Sequence, residues 1–156
     1  MAKPSVVIRN LEDSPDWLDQ RMVTAYLNTK YWTEAPRLDD SGLFFEIGQP
    51  ALLLEKQLEE HGFGTFAFIT AWNPASQMLE HWHNQWRNFQ LELELQPHCR
   101  LIRRGMGVGH EGDWAPEESF LCLDIHLEKA ADLGRQFGQN AIVCWQTGGL
   151  PELWWL

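Results

Sequence analysis

Three short polar stretches carry the residue types that could do chemistry, and each borders an apolar run. In Thr70-Ala71-Trp72-Asn73-Pro74-Ala75-Ser76 an uncharged strand, Phe66 to Ile69, runs into a helix start. Asn73 can cap, Pro74 suits the first helical position, and Ser76 can bond free backbone N–H groups. The carboxyl end of a strand meeting a helix start is where open α/β sheets bind ligands, because donors and the positive end of the helix dipole gather there. Glu117-Glu118-Ser119 precede the run Phe120 to Leu123, and Gln139-Asn140 precede Ala141 to Trp145. The start of one strand and the end of its antiparallel neighbour meet on one sheet edge. So placed, Thr70, Trp72, Asn73, Ser76, Glu118, Ser119, Gln139 and Asn140, with Asn84 of the following helix, form a site for a small polar ligand, a metabolite or a nucleotide-like molecule. The competing account is that these side chains only brace loops by hydrogen bonding to backbone.

Other chemistries find less support. Glu117 and Glu118 point to opposite faces of a strand, so one is expected inward, beside Arg103 or Arg104. An acid role for it requires a shifted pKa. His81 and His83 diverge around a helix and cannot share a metal, and neither Cys-x-x-Cys nor His-Glu-x-x-His occurs. No metal is expected. Ser76 and Ser119 lack the Gly-x-Ser-x-Gly elbow. Gly105-Met106-Gly107-Val108-Gly109 is not a dinucleotide fingerprint and reads as a bulged or twisted strand. No cofactor is implied.

The elements that must position these residues follow in order. Residues 1–13 read as an arm with a small strand at Ser5-Val6-Val7-Ile8. A helix starts at Ser14-Pro15 and ends near Lys30, with Leu18, Met22, Ala25 and Tyr26 on one face. Residues 33–42 read as a loop, Leu43 to Ile47 as a strand, and 50–61 as a helix with Leu53, Leu54 and Leu58 inward. After the strand at 65–72, a third helix runs from Pro74 to about residue 95. Its stripe Leu79, Trp82, Trp86, Phe89 and Leu93, at steps of three and four, is expected in the core. A strand at Cys99 to Val108, a polar loop at 109–117, a strand at Ser119 to Ile125, a helix at Leu127 to Phe137 and a strand at Ala141 to Trp145 complete the chain. The order from 65 to 145 is β-α-β-β-α-β, as in ferredoxin-like units. The expected fold is a single α/β (α+β) domain over 14–146, with a mixed, partly parallel central sheet of about five strands packed with helices.

Composition bounds the function. The 156 residues are 44% hydrophobic and 22% charged, which suits one globular domain. A net charge of −10 argues against nucleic acid and anionic membrane as partners. The N-terminus lacks the apolar run of a signal peptide, and no window spans a membrane. Three cysteines without paired spacing indicate no disulfide framework; Cys122 and Cys144 read as small buried hydrophobes. A cytoplasmic location is the expectation.

Together the stretches Phe68 to Pro74 with Ser76, Glu117 to Leu121, and Phe137 to Ile142 resemble the bacterial family called domain of unknown function 3293. Tyr26, Thr29, Tyr31 and Asn84 fit the same pattern, so the resemblance covers about 22–146. It implies a shared fold and a set of positions, and neither a reaction nor a cofactor. The segment 147–156 lies outside it. Gly148, Gly149 and Pro151 set off a Trp-rich tail, in which Trp154, Trp155 and Leu156 must find an apolar surface. Either the tail folds back on its own domain or it docks on a partner protein or a second copy. Two functions stay open: a small-polar-ligand site, with or without catalysis, and a non-catalytic regulatory or scaffolding module that binds another protein through aromatic surface.

Overall fold

The computed structural model describes residues 6–36, 42–109 and 115–156. Eight strands form one sheet in the order β1-β8-β7-β4-β6-β5-β2-β3. They are β1 Val6–Ile8, β2 Lys30–Thr33, β3 Leu43–Phe45, β4 Thr65–Ile69, β5 Leu101–Val108, β6 Glu117–Leu123, β7 Ala141–Gln146 and β8 Glu152–Trp155. Every pairing is antiparallel, and the sheet curls into a half-barrel. The partly parallel sheet of about five strands is therefore wrong. The β-α-β-β-α-β order is present, but each helical crossover skips a place. β4 and β5 run the same way with β6 between them, and β6 and β7 run the same way with β4 between them. A crossover helix thus does not make its two strands neighbours when a third strand, running oppositely, fills the gap.

Four helices cover the two faces: α1 Gln20–Leu27, α2 Leu52–Glu60, α3 His81–Leu95 and α4 Leu127–Gln136. Val23 of α1 and Leu54 and Leu58 of α2 join Phe66, Phe68, Leu121, Leu123, Trp145 and Leu153 in one core. Leu91 and Leu95 of α3 and Ala130 and Leu133 of α4 join Ala67, Ile69, Phe120, Cys122, Ile142 and Cys144 in the other. Covering on both sides explains why β4, β6 and β7 read as unbroken apolar runs. Gly105 of β5 admits the ring of Phe68: an added Cβ would lie 2.5 Å from Phe68 Cε2 and from the Trp32 carbonyl oxygen.

The first helix begins later than Ser14. Asp19 caps it, accepting from the N–H groups of Arg21 (3.0 Å) and Met22 (3.3 Å). Asp19→Ala should cost about 1 kcal/mol of unfolding free energy in a urea titration; no change would mean that the cap is idle. The loops expected at 33–42 and 109–117 fall partly outside the described residues, at 37–41 and 110–114. Leu53 of α2, expected inward, is exposed. Among the described residues no helix is long and apolar enough to cross a membrane.

Residues 152–155 are not a detached tail. They form β8, seated between β1 and β7, with Leu153 opposite both Ile8 and Val143 and fully buried. The unpaired edge of β7 supplied the apolar surface that this segment required.

The third helix departs most from expectation. Pro74–Ser76 make only a 3-10 turn, and α3 starts at His81. Its expected core stripe faces outward: Trp82 is 66% exposed, Trp86 54%, Phe89 51% and Leu93 51%. Leu79 is partly buried, and Asn84, Asn88, Leu91 and Leu95 face the sheet. Loop 70–79 presents buried N–H groups at Ala71 and Asn73, from which neither leucine nor tryptophan can accept; leaving them unpaired costs free energy that offsets the exposure of four apolar side chains.

Candidate functional site

The register converges the polar stretches. β4 ends beside the start of β6 and the start of β7, so residues after 69, before 120 and before 142 share one sheet edge. The backbone there is unusual: Asn73, Ala75 and Ser76 all have positive φ (44°, 52° and 60°) without being glycine. Such conformations persist only where surrounding contacts impose them.

Ala75 N–H donates to the Gly138 carbonyl (2.8 Å) and Ser76 N–H to the Asn73 carbonyl (3.0 Å), while Asn73 and its neighbours on the loop are held largely from α3. Asn84 Oδ1 accepts from Asn73 N–H (2.8 Å), and its Nδ2 donates to Asn73 Oδ1 (2.7 Å). Asn88 Oδ1 accepts from Ala71 N–H (2.8 Å) and its Nδ2 donates to the Glu118 carbonyl (2.8 Å). Arg87 Nε donates to the Ala71 carbonyl (2.9 Å), and its Nη2 donates to that of Phe137. Thr70 Oγ1 donates to the Glu118 carbonyl (2.7 Å) and accepts from Trp72 N–H (3.0 Å). Gln139 Nε2 donates to the Trp72 carbonyl (3.2 Å), and Ser119 Oγ to that of Glu117 (3.1 Å). Thr70, Asn84, Asn88, Ser119 and Gln139 are thus spent on backbone or on Asn73, and they brace the edge. Trp72 is buried against the ring of His81, with centroids 5.4 Å apart.

Asn73, Ser76 and Asn140 turn instead toward a second polar group that sequence reasoning did not assemble. Asn73 Nδ2 donates to Glu117 Oε1 (3.3 Å). Asn140 Nδ2 donates to Ser76 Oγ (3.2 Å) and meets the Met22 sulfur at 3.2 Å. Asn140 and Ser76 also lie beside the Tyr26 hydroxyl, close enough to hold its pKa down against burial. Tyr31 lies across the sheet: it pairs with Gly107, and Gly107 pairs with Glu117. The Tyr31 hydroxyl donates to the Tyr26 carbonyl at 3.3 Å.

Of the adjacent carboxylates, Glu117 is the inward one and Glu118 is exposed. The inward carboxylate does not meet the arginine expected beside it: Arg103 lies 3.8 Å from Glu34 and Arg104 lies 3.8 Å from Glu92. Burial pushes the Glu117 carboxyl up to about 7, against the pull of the Asn73 hydrogen bond. Burial first, then the Glu117 charge, pushes Tyr26 up to about 12, and the neighbouring Asn140 and Ser76 oppose this. Burial likewise raises Tyr31. The group therefore offers a carboxyl that titrates near neutrality beside a hydroxyl that stays protonated.

Glu117 was hard to single out. Glu117 shares its face with Leu121 and Leu123, but Glu118 shares the other with Phe120 and Cys122, and both faces are buried, so alternation gave no choice. Tyr26 comes from a different layer, and the family pattern alone marked it. The Trp-rich segment supports this edge: the Trp155 ring meets Tyr26 edge-on at 5.9 Å, and Leu156 N–H donates to the Asn140 carbonyl at 2.9 Å. Trp154 Nε1 donates to Glu152 within the same strand. Among the described residues no cluster of His, Cys, Asp and Glu could hold a metal. An open depression of about 530 Å³ beside Thr65, Asp124, Gln146 and Trp154 lies at the opposite ends of these strands and includes none of the polar group.

No curated protein and no solved structure matches the chain. Residues 69–142, from the last residue of β4 to the second of β7 and so across every strand end that builds this edge, match the model of the family described as Protein of unknown function (DUF3293), the family that the polar stretches resemble.

Proposed function

We propose that this edge binds a small polar ligand, with Glu117 as its proton-exchanging group and Tyr26, Asn73, Ser76 and Asn140 as its hydrogen-bonding partners. One observation carries the reading: a partly buried carboxyl on β6, near its titration point, stands beside a protonated tyrosine of α1 and against a loop held in a strained conformation. The guanidinium of the neighbouring helix, Arg87, is spent on two carbonyls. The site therefore favours an uncharged or amine-bearing ligand, such as an amide, a polyol or an amino sugar, over a phosphate. In a cytoplasm near pH 7, Glu117 would pass between acid and base on binding, which suits either proton-coupled recognition or general acid–base catalysis.

The test is a thermal-shift screen of amino acids, amides, sugars and nucleotides at millimolar concentration, repeated on Glu117→Gln and Tyr26→Phe. A hit among neutral or amine ligands is expected to raise the melting temperature of the wild type and to lose most of that rise in both variants. A hit that neither variant weakens, or an entirely blank screen, would remove the reading.

A further inference from the structure

The outward face of α3 is independent of that edge. It presents Trp82, Trp86, Phe89 and Leu93 at steps of four, three and four, the a/d spacing of a coiled-coil seam. From Trp82 onward these side chains are half exposed or more. The opposite side of the helix is locked by the Asn84 and Asn88 hydrogen bonds and by buried Leu91 and Leu95. The stripe therefore has no route inward, and it sits on a rigid helix of 15 residues, about 22 Å long.

We propose that α3 is a self-association surface, pairing antiparallel with α3 of a second copy of this chain about a two-fold axis. Three observations choose a copy of itself as the occupant. First, the spacing 82–86–89–93 reads four, three, four from either end. An antiparallel copy therefore brings Trp82 level with Leu93 of the partner subunit and Trp86 level with Phe89 of the partner subunit, a large ring against a smaller group in each layer. Second, the seam is nearly free of charge although the chain carries −10. Its flanking residues are His83, Gln85, Gln90 and Glu92, and Glu92 already faces Arg104 at 3.8 Å. Neither an acidic nor a basic partner finds a complement there, whereas a second copy meets a neutral stripe without repulsion, with the helix dipoles opposed. Third, four such side chains, half exposed, offer roughly 450 Å² per chain. Doubled, that reaches about 900 Å², a weak, reversible interface below the standard size. Tryptophan is the residue type most enriched among anchors of such contacts.

Sedimentation velocity of the full chain over roughly micromolar to several hundred micromolar concentration tests this. A monomer–dimer equilibrium with a Kd of about 10–100 µM is expected. Phe89→Glu and, separately, Trp86→Gln should each raise the Kd at least tenfold with far-UV circular dichroism unchanged. Trp17→Gln, at a site 70% exposed elsewhere on the surface, should leave it unchanged. A wild type that stays monomeric throughout, or a dimer that survives both α3 variants, would overturn the proposal. Orientation is read by oxidative crosslinking: a mixture of Trp82→Cys and Leu93→Cys chains should crosslink as the heterodimer. Efficient crosslinking of either variant with itself would overturn the antiparallel arrangement.

Discussion

Asn88→Ala is expected to lower the unfolding free energy by about 2–3 kcal/mol, while Trp86→Ala changes it by less than about 1 kcal/mol. Both residues lie on α3, and ordinary experience of helices reverses the ranking. Asn88 is 5% exposed and Trp86 54%. Removing the Asn88 amide strips Ala71 N–H of its acceptor inside the core and takes one donor from the Glu118 carbonyl. That carbonyl keeps Thr70 as a partner, so the larger loss is the orphaned N–H. Removing the Trp86 ring gives up a stack on Phe89 at 5.7 Å, and alanine recovers part of that through its helix propensity. Asn84→Ala should resemble Asn88→Ala, since it orphans Asn73 N–H and frees Asn73 from its left-handed conformation. The two asparagines brace one loop, so the double variant should cost less than the sum. Urea unfolding at low protein concentration, where association contributes nothing, makes the comparison. Equal losses for Asn88→Ala and Trp86→Ala would mean that the orientation of the helix is wrong.

The second large effect is in the pH dependence of stability. The Glu117 pKa rises from 4.5 to about 7 on folding, so between those values the folded chain holds the proton that the unfolded chain releases. The stabilisation from Glu117 is complete below about pH 4.5, fades as the pH rises, and is gone above about pH 7. A shift of this size corresponds to about 3 kcal/mol at pH 8. Glutamine keeps an oxygen for the Asn73 amide and has no proton to lose. Glu117→Gln should therefore match the wild type near pH 4 and exceed it by about 3 kcal/mol at pH 8. Other carboxylates affect both proteins alike, so the difference between the two profiles isolates this group. Parallel profiles would show that Glu117 titrates as an ordinary surface carboxylate.

This stabilisation on mutation also bears on function. A stabilising Glu117→Gln is the result expected of the proposed ligand site, where a carboxyl is kept at a cost to stability over a loop with three residues of positive φ.

Much of the chain's organisation was written locally. The runs at Phe66, Phe120 and Ala141 could only be buried strands, because they are uncharged and bounded by breakers. Cys122 and Cys144 are free and fully buried in β6 and β7. That residues 70–76, 117–119 and 139–140 can meet on one edge was legible from polar residues at strand ends, and the family resemblance was legible from the same stretches. What the sequence could not decide are the matters that depend on which surfaces meet. Helical order does not say whether a crossover skips a strand, so the sheet was expected partly parallel and is antiparallel. A stripe at steps of three and four shows that one face of α3 is apolar, and only the buried polar loop beneath decides that this face turns out and the asparagines turn in. The adjacent pair Glu117-Glu118 fixes that one carboxylate points each way, and only the register against β4 and β5 decides that Glu117 points to Asn73. The final segment declares a need for apolar cover, and it takes the open edge of β7 to make it a strand. In each case local pattern is set by contacts a few residues apart, whereas orientation is set by hydrogen bonds and burial across separations of eleven to sixty residues or more, which no short-range period records.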